Sequence, residues 1–184
     1  MRLVRPQSAP ALPLHDLDGH PLEVASGRRL LLSIFREASC PSCNIRVFEL
    51  NHNDRDLREL GLDVVVVFAS EEDEVRRFIA RQPRPFRIVA DPGNTAHERY
   101  GIERSGAGKF KALLTRFPAM LHGMRELGFK SGRRSTTRLP ADVLIDGDGR
   151  IEETYYGRDI SDHIPMERVE LFATRALASR RAAA

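Results

Sequence analysis

Two largely apolar runs lie along the chain, and each run is followed by a stretch whose apolar residues recur at helical spacing. The runs are residues 29–35 and 64–68, and the second contains only Val and Phe. A continuous β-branched run without polar alternation predicts a strand that is covered on both faces of a sheet. The stretches after them, about 44–60 and 71–82, predict the helices of two parallel βαβ units.

Weaker signals extend this pattern toward both ends of the chain. In order, they predict a short hairpin over 11–24, a strand over 86–90, a short helix over 95–100, an antiparallel hairpin over 140–156 and a helix over 165–178. We expect Ser70 and Asp162 to be the N-caps of the helices that follow them, because both side chains accept hydrogen bonds from free backbone N–H groups.

The only two cysteines lie where the first strand gives way to the first helix, in Cys40-Pro41-Ser42-Cys43. Two thiols at i and i+3 on a first helical turn lie within disulfide range, and the free N–H groups there favour a thiolate at the first of them. The pattern predicts that Cys40 is a nucleophile and Cys43 its resolving partner. Arg36 adds a favourable charge that Glu37 partly cancels.

Composition bounds the class of protein. The 184 residues, 41% hydrophobic and 30% charged, fit a single domain over 1–184. No apolar stretch approaches the roughly 18–20 residues of a membrane span, and prolines interrupt the N-terminus. We therefore expect a cytoplasmic protein with no membrane contact, in which two thiols serve redox chemistry rather than a structural framework.

The segment before the C-terminal hairpin, about 103–137, is predicted to be a helical insertion. Its apolar residues near one helical face are Leu113, Phe117, Met120, Met124 and Leu127. Such a stripe is typical of core, although a lid over the dithiol or a homodimer interface through the insertion stays open. The excess of Lys and Arg over 109–138 indicates a solvated face, and we expect no nucleic-acid partner.

Two segments, residues 35–43 and 139–151, together with 91–102, carry a family resemblance. The chain is similar to peroxiredoxin-like members of the alkyl hydroperoxide reductase/thiol-specific antioxidant (AhpC/TSA) family. The resemblance implies an α/β protein with the thioredoxin-like three-layer α/β/α sandwich. Its central sheet would be mixed, with a C-terminal antiparallel hairpin and the helical insertion before it.

The resemblance also implies a role for Pro140. Thioredoxin-like proteins place a cis-proline beside the dithiol, and a cis bond before Pro140 would turn the backbone of Leu139 toward the sulfurs. There the backbone groups of Leu139 could pair with an incoming substrate. Pro140, Leu139 and Arg36 are therefore the expected substrate-binding and supporting residues.

The chain departs from the peroxiredoxin pattern at the residues that serve peroxide. The family places a Pro seven residues and a Thr three residues before its nucleophile, where this chain has Ser33 and Glu37. The family's active-site Arg aligns with Pro140, which leaves Arg138 and Arg36 as substitutes. Peroxide activation needs donors that stabilise the charge on the departing oxygen.

These departures predict a thiol-disulfide oxidoreductase first, with a thiol-dependent peroxidase as the alternative and a non-catalytic thioredoxin-like binding module as the third hypothesis. The first two need a disulfide or hydroperoxide substrate and an external thiol reductant. We expect no cofactor and no metal, because a CxxC needs two further ligands to close a metal site and the six histidines are scattered. His163 is interpreted as a helix-start histidine, with a proton shuttle as the alternative.

Overall fold

A computed structural model describes residues 7–81, 83–102 and 138–182 of the chain. The helices and strands in this part are β1 (Arg29–Phe35), α1 (Pro41–Glu59), β2 (Leu62–Phe68), α2 (Glu72–Phe78), β3 (Arg87–Ala90), α3 (Thr95–Arg99), β4 (Ala141–Ile145), β5 (Ile151–Tyr156) and α4 (Met166–Ala182). The predicted insertion over 103–137 lies outside the described residues, so its helices stay a prediction, as does the single domain.

The five strands form one mixed sheet in the order β3-β2-β1-β4-β5. β1 pairs with β2 in parallel and β2 with β3 in parallel, whereas β4 runs antiparallel to both β1 and β5. This is the predicted pair of βαβ units followed by a C-terminal hairpin. The C-terminal end of the central strand β1 therefore lies beside the start of β4.

The valine run of β2 shows why both faces of the sheet are buried. Val64 and Val66 pack with α1, α2 and α4 in one apolar cluster. Val65 and Val67 point to the opposite cluster, which includes α3 and the N-terminal segment. Because successive side chains alternate across a sheet, four valines in a row serve two cores, and the three-layer arrangement follows.

Several predicted element ends are wrong for local reasons. Helix α1 begins at Pro41 rather than near 44, since a proline is well suited to the first helical position. In place of the hairpin expected over 11–24, the structure has one isolated antiparallel β-bridge, between His15 and Pro21. Helix α2 ends at Phe78 rather than at residue 82.

Both predicted N-caps are wrong as well. Ser70 Oγ accepts a hydrogen bond from Ala38 N at 3.0 Å instead of capping α2. Asp162 accepts from the hydroxyl of Tyr155 and from Arg158 N, and α4 begins four residues later at Met166. Each side chain binds a partner that local sequence rules do not consider.

Across the described ranges, no helix has the length and apolar character needed to cross a membrane.

Candidate active site

The turn between β1 and α1 presents Cys40 at the entrance of the helix. Cys40 is the N-cap residue of α1, with extended backbone angles, and Pro41 occupies the first helical turn. Asn44 fixes this turn, because its side-chain amide donates to the carbonyl groups of both Ala38 and Cys40 at 2.9 Å. The backbone N–H of Cys43, in the first turn of the helix, donates a hydrogen bond to the Cys40 sulfur.

The surroundings of Cys40 favour its thiolate. The pKa of Cys40 is lowered to about 7, first by a hydrogen bond from the Cys43 thiol and then by the Arg36 charge and the Cys43 backbone N–H. Burial and the Glu37 carboxylate oppose this shift. Arg36 Nη1 lies 3.6 Å from Cys40 Sγ. At neutral pH a large fraction of Cys40 is therefore in the nucleophilic form.

Cys43 has the opposite character. It has no exposed surface, and burial, followed by its hydrogen bond to Cys40 and the charge there, raises its pKa well above the ordinary value. The Arg36 charge and backbone N–H only partly oppose this. The pair therefore combines an activated thiolate with a protonated thiol that already contacts it. Both cysteines are free thiols in this structure.

Arg36 and Glu37 form a buried ion pair beside the sulfur. Arg36 Nη2 lies 3.2 Å from Glu37 Oε1, and the two residues are only 2% and 8% exposed. The end of β2 holds this turn in place, since Ala69 N donates to Arg36 O at 2.8 Å. Two hydrogen bonds to the residues after β2 therefore hold this turn, one from Ala69 N and one between Ala38 N and Ser70 Oγ.

Pro140 and Leu139 lie at the same end of the sheet as the dithiol. The register pairs Ile34 with Ala141, so the two residues before Ala141 continue alongside the end of β1. Gly157 N donates to Pro140 O at 2.9 Å. A Cβ on Gly157 would lie 2.9 Å from the Pro140 ring, so the loop after β5 packs directly on it. The cis bond before Pro140 stays a prediction.

A buried polar network lies on the face of the sheet that α1 covers, and the sequence analysis considered His163 but missed its partner Asp142. Asp142 accepts hydrogen bonds from Ser33 Oγ at 2.6 Å and from Ile164 N at 2.9 Å, and His163 Nδ1 lies 3.1 Å from its Oδ2. Burial would raise the pKa of Asp142, but the charge and hydrogen bond of His163, the Arg46 charge and the Ser33 hydrogen bond lower it to about 2. The signal available was an aspartate inside an otherwise apolar strand.

His97 is a second buried polar side chain that the sequence analysis missed. It has no exposed surface, and burial, then the charges of Arg138 and Arg36, lower its pKa to about 3. The imidazole is therefore neutral at physiological pH. Arg138 is itself 7% exposed and lies 3.8 Å from a Glu98 carboxylate oxygen.

Among the described residues, the group of side chains that best meets the spacing of a metal site is remote from the cysteines in sequence. It comprises Asp16, Asp18 and His20. Asp16 already accepts hydrogen bonds from Arg87 and from the backbone N–H groups of Asp18 and His20. The group therefore serves as a turn that anchors the N-terminal segment to β3.

Comparison with known proteins gives a consistent family. The sequence profile of the AhpC/TSA family matches residues 6–154. A putative peroxiredoxin of Mycobacterium tuberculosis is 31% identical over 172 residues, which cover 92% of this chain and 96% of the relative. Peroxiredoxin Bcp of Escherichia coli is 24% identical over 159 residues, covering 84% and 86%.

Solved structures show the fold. The crystal structure of a putative thiol:disulfide interchange protein DsbE from Chlorobium tepidum superposes with a TM-score of 0.61 at 19% identity. The match covers 94% of this chain and 99% of that one. At this identity the likeness supports the thioredoxin-like architecture alone, and the predicted fold class is confirmed.

Proposed function

Because the chain belongs to the AhpC/TSA family, a family of thiol-dependent oxidoreductases, we propose that it is a thiol peroxidase in which Cys40 reduces a hydroperoxide and Cys43 resolves the product. The observation that best supports Cys40 as the peroxide-reducing thiol is the contact between its sulfur and Arg36 Nη1. The sequence analysis placed disulfide exchange first, and the peroxiredoxin relatives favour the reverse order.

The reaction divides into two displacements at sulfur. The Cys40 thiolate attacks one oxygen of the hydroperoxide, the O–O bond breaks, and the departing alkoxide or hydroxide takes up a proton. Cys40 is thereby oxidised to a sulfenic acid and the peroxide is reduced. Cys43 then attacks the Cys40 sulfur, the S–O bond breaks, and water leaves. An external thiol reductant reopens the Cys40–Cys43 disulfide.

Arg36 is suited to both parts of the first displacement. Its guanidinium has five N–H donors, so one can contact the thiolate while another binds a peroxide oxygen. Donors already aimed at the site of developing charge lower the barrier because they do not reorganise during the reaction. Arg36 thus replaces the active-site Arg that the family has at the position aligned with Pro140. Burial of Arg36 strengthens its electrostatic interactions.

Disulfide exchange remains the second candidate because of one residue. Glu37 occupies the position at which peroxiredoxins have a Thr, and its carboxylate offers no hydroxyl donor to a peroxide. Attack on a disulfide does not need that donor, since the departing group is a thiolate of low basicity. The same two cysteines serve both reactions.

A competition experiment separates the two functions. Fully reduced protein is mixed with equal concentrations of hydrogen peroxide and of oxidised glutathione, and alkylation at short times is followed by mass analysis. We expect the sulfenic acid of Cys40, or the internal disulfide formed with loss of peroxide, to appear before any glutathione adduct or release of reduced glutathione. Consumption of the disulfide first would reverse the order of the two functions.

A further inference from the structure

The resolving step requires a proton acceptor, since Cys43 is fully buried and its thiol resists ionisation. A protonated thiol is a poor nucleophile toward a sulfenic acid or a mixed disulfide. Arg36 and Cys40 lie next to Cys43, but the first is a cation and the second is the electrophile in this step. Among the described residues, two side chains that can accept a proton are candidates for this base, His163 and Glu37.

His163 has the features of such a base. Its Nδ1 faces the Asp142 carboxylate, which can only accept, so in the neutral form of the ring the hydrogen lies on Nδ1 and the lone pair on Nε2. Nε2 is buried and has no hydrogen-bond partner among the described residues. A buried, unpaired ring nitrogen costs stability, which indicates a role other than packing. Ser33 and Ile164 hold the carboxylate that orients the ring.

Three contacts connect the segment that carries this imidazole to the elements that hold the resolving cysteine. Its ring lies against Phe35, with 4.9 Å between the ring centroids. The backbone N–H of the next residue, Arg36, donates to the Cys43 sulfur. One turn after Cys43 on α1, Arg46 Nη2 donates to the carbonyl of Ile164 at 2.9 Å, and Ile164 directly follows His163.

We propose that His163, oriented by Asp142, accepts the proton of the Cys43 thiol as Cys43 attacks the oxidised Cys40 sulfur. This inference rests on the proposed function for its first electrophile, the Cys40 sulfenic acid. The proton passes from Cys43 Sγ to His163 Nε2 as the new S–S bond forms. The S–O bond breaks, and the departing hydroxide receives the proton and leaves as water. Cys43 is oxidised and the Cys40 sulfur is reduced.

The alternative base is the Glu37 carboxylate. It is held by the Arg36 guanidinium at 3.2 and 3.4 Å, and its charge acts on Cys40. Comparison of Glu37→Gln with His163→Asn therefore distinguishes the two candidate bases. Asn at position 163 retains an amide N–H that can donate to Asp142, but it cannot take up a proton.

The experiment measures disulfide closure separately from the first oxidation. Reduced protein is oxidised with one equivalent of hydrogen peroxide and quenched with an alkylating reagent at successive times. The products are identified by intact-protein mass spectrometry. We expect His163→Asn to slow closure about 100-fold, at the lower end of general-base effects, with oxidation of Cys40 unchanged. Glu37→Gln should slow closure far less than His163→Asn does. Wild-type closure in His163→Asn, or slow closure only in Glu37→Gln, would overturn the proposal.

A second oxidant keeps this test independent of the peroxidase function. With an aromatic disulfide, dithiobis(nitrobenzoate), Cys40 forms a mixed disulfide and releases one coloured thiolate, and closure by Cys43 releases the second. If peroxide fails to oxidise wild-type Cys40, the proposed function fails, whereas the second release still tests His163. An equal rate of second release in wild type and His163→Asn would contradict the proton-acceptor role.

Discussion

We expect Cys40→Ser to abolish peroxide reduction, whereas Cys43→Ser should permit one oxidation of Cys40 and then stall. Cys40 has its pKa lowered to about 7 and contacts Arg36, while the protonated Cys43 lies fully buried against it. Removing the first thiol removes the only activated nucleophile of the pair. Removing the second leaves the sulfenic acid without its intramolecular partner.

The measurement is peroxide consumed per protein over time, with a small dithiol as electron donor, together with the mass of the oxidised protein. Cys43→Ser should show a burst of about one peroxide per protein and retain a Cys40 sulfenic acid that a dimedone-type reagent traps. Ser42→Ala, which changes a residue between the cysteines without touching either thiol, is the control and should behave as the wild type. A burst in Cys40→Ser with trapping at Cys43 would reverse the two roles.

The second large effect concerns Arg36. Arg36→Met should raise the pKa of Cys40, because it removes the cation nearest the sulfur, and Glu37→Gln should lower it, because the carboxylate opposes the thiolate. A shift of one unit changes the thiolate fraction below the pKa about tenfold. Loss of the donor to peroxide should cost a further factor of about 100 in the peroxide rate constant.

The pKa is read from the pH dependence of iodoacetamide labelling, with peptide mapping of the labelled cysteine. In the wild type, Cys40 should be labelled first and with a midpoint near pH 7, the reaction slowing as acid protonates the thiolate. The double variant Arg36→Met, Glu37→Gln removes both charges of the ion pair and separates the electrostatic effect from loss of the pair. Labelling of Cys43 first, or unchanged midpoints in both single variants, would contradict this account of the site.

The sheet was predictable from sequence because its strands bury both faces. The apolar run 29–35 coincides with β1. The valines of β2 point alternately into the apolar clusters on the two faces of the sheet. The position of the dithiol was predictable too, since the CxxC lies at the junction between β1 and α1. Local patterns failed where a polar side chain binds a distant partner: Ser70 contacts the turn before Cys40 instead of capping a helix.

The buried polar network of Asp142, Ser33 and His163 is the clearest example of contacts that the sequence could not show. Asp142 and Ser33 are 109 residues apart and meet only because β4 pairs with β1 in one particular register. The sequence analysis named His163 as a helix-start histidine or a proton shuttle, but its contact with Phe35 depends on how the loop after β5 folds back over Pro140. Long-range pairing decides these contacts, so the candidate site was predictable for its sulfurs but not for its supporting polar groups.

The rate constant for oxidation of Cys40 by hydrogen peroxide tests the central claim most directly. It is measured by rapid mixing at fixed pH, beside a free thiol of matched pKa, with rapid-quench alkylation and mass analysis. A peroxidase with a donor aimed at the peroxide should exceed the matched free thiolate by at least about 100-fold. A rate constant equal to that of the free thiolate would contradict the peroxidase assignment and leave disulfide exchange as the function of the Cys40–Cys43 pair.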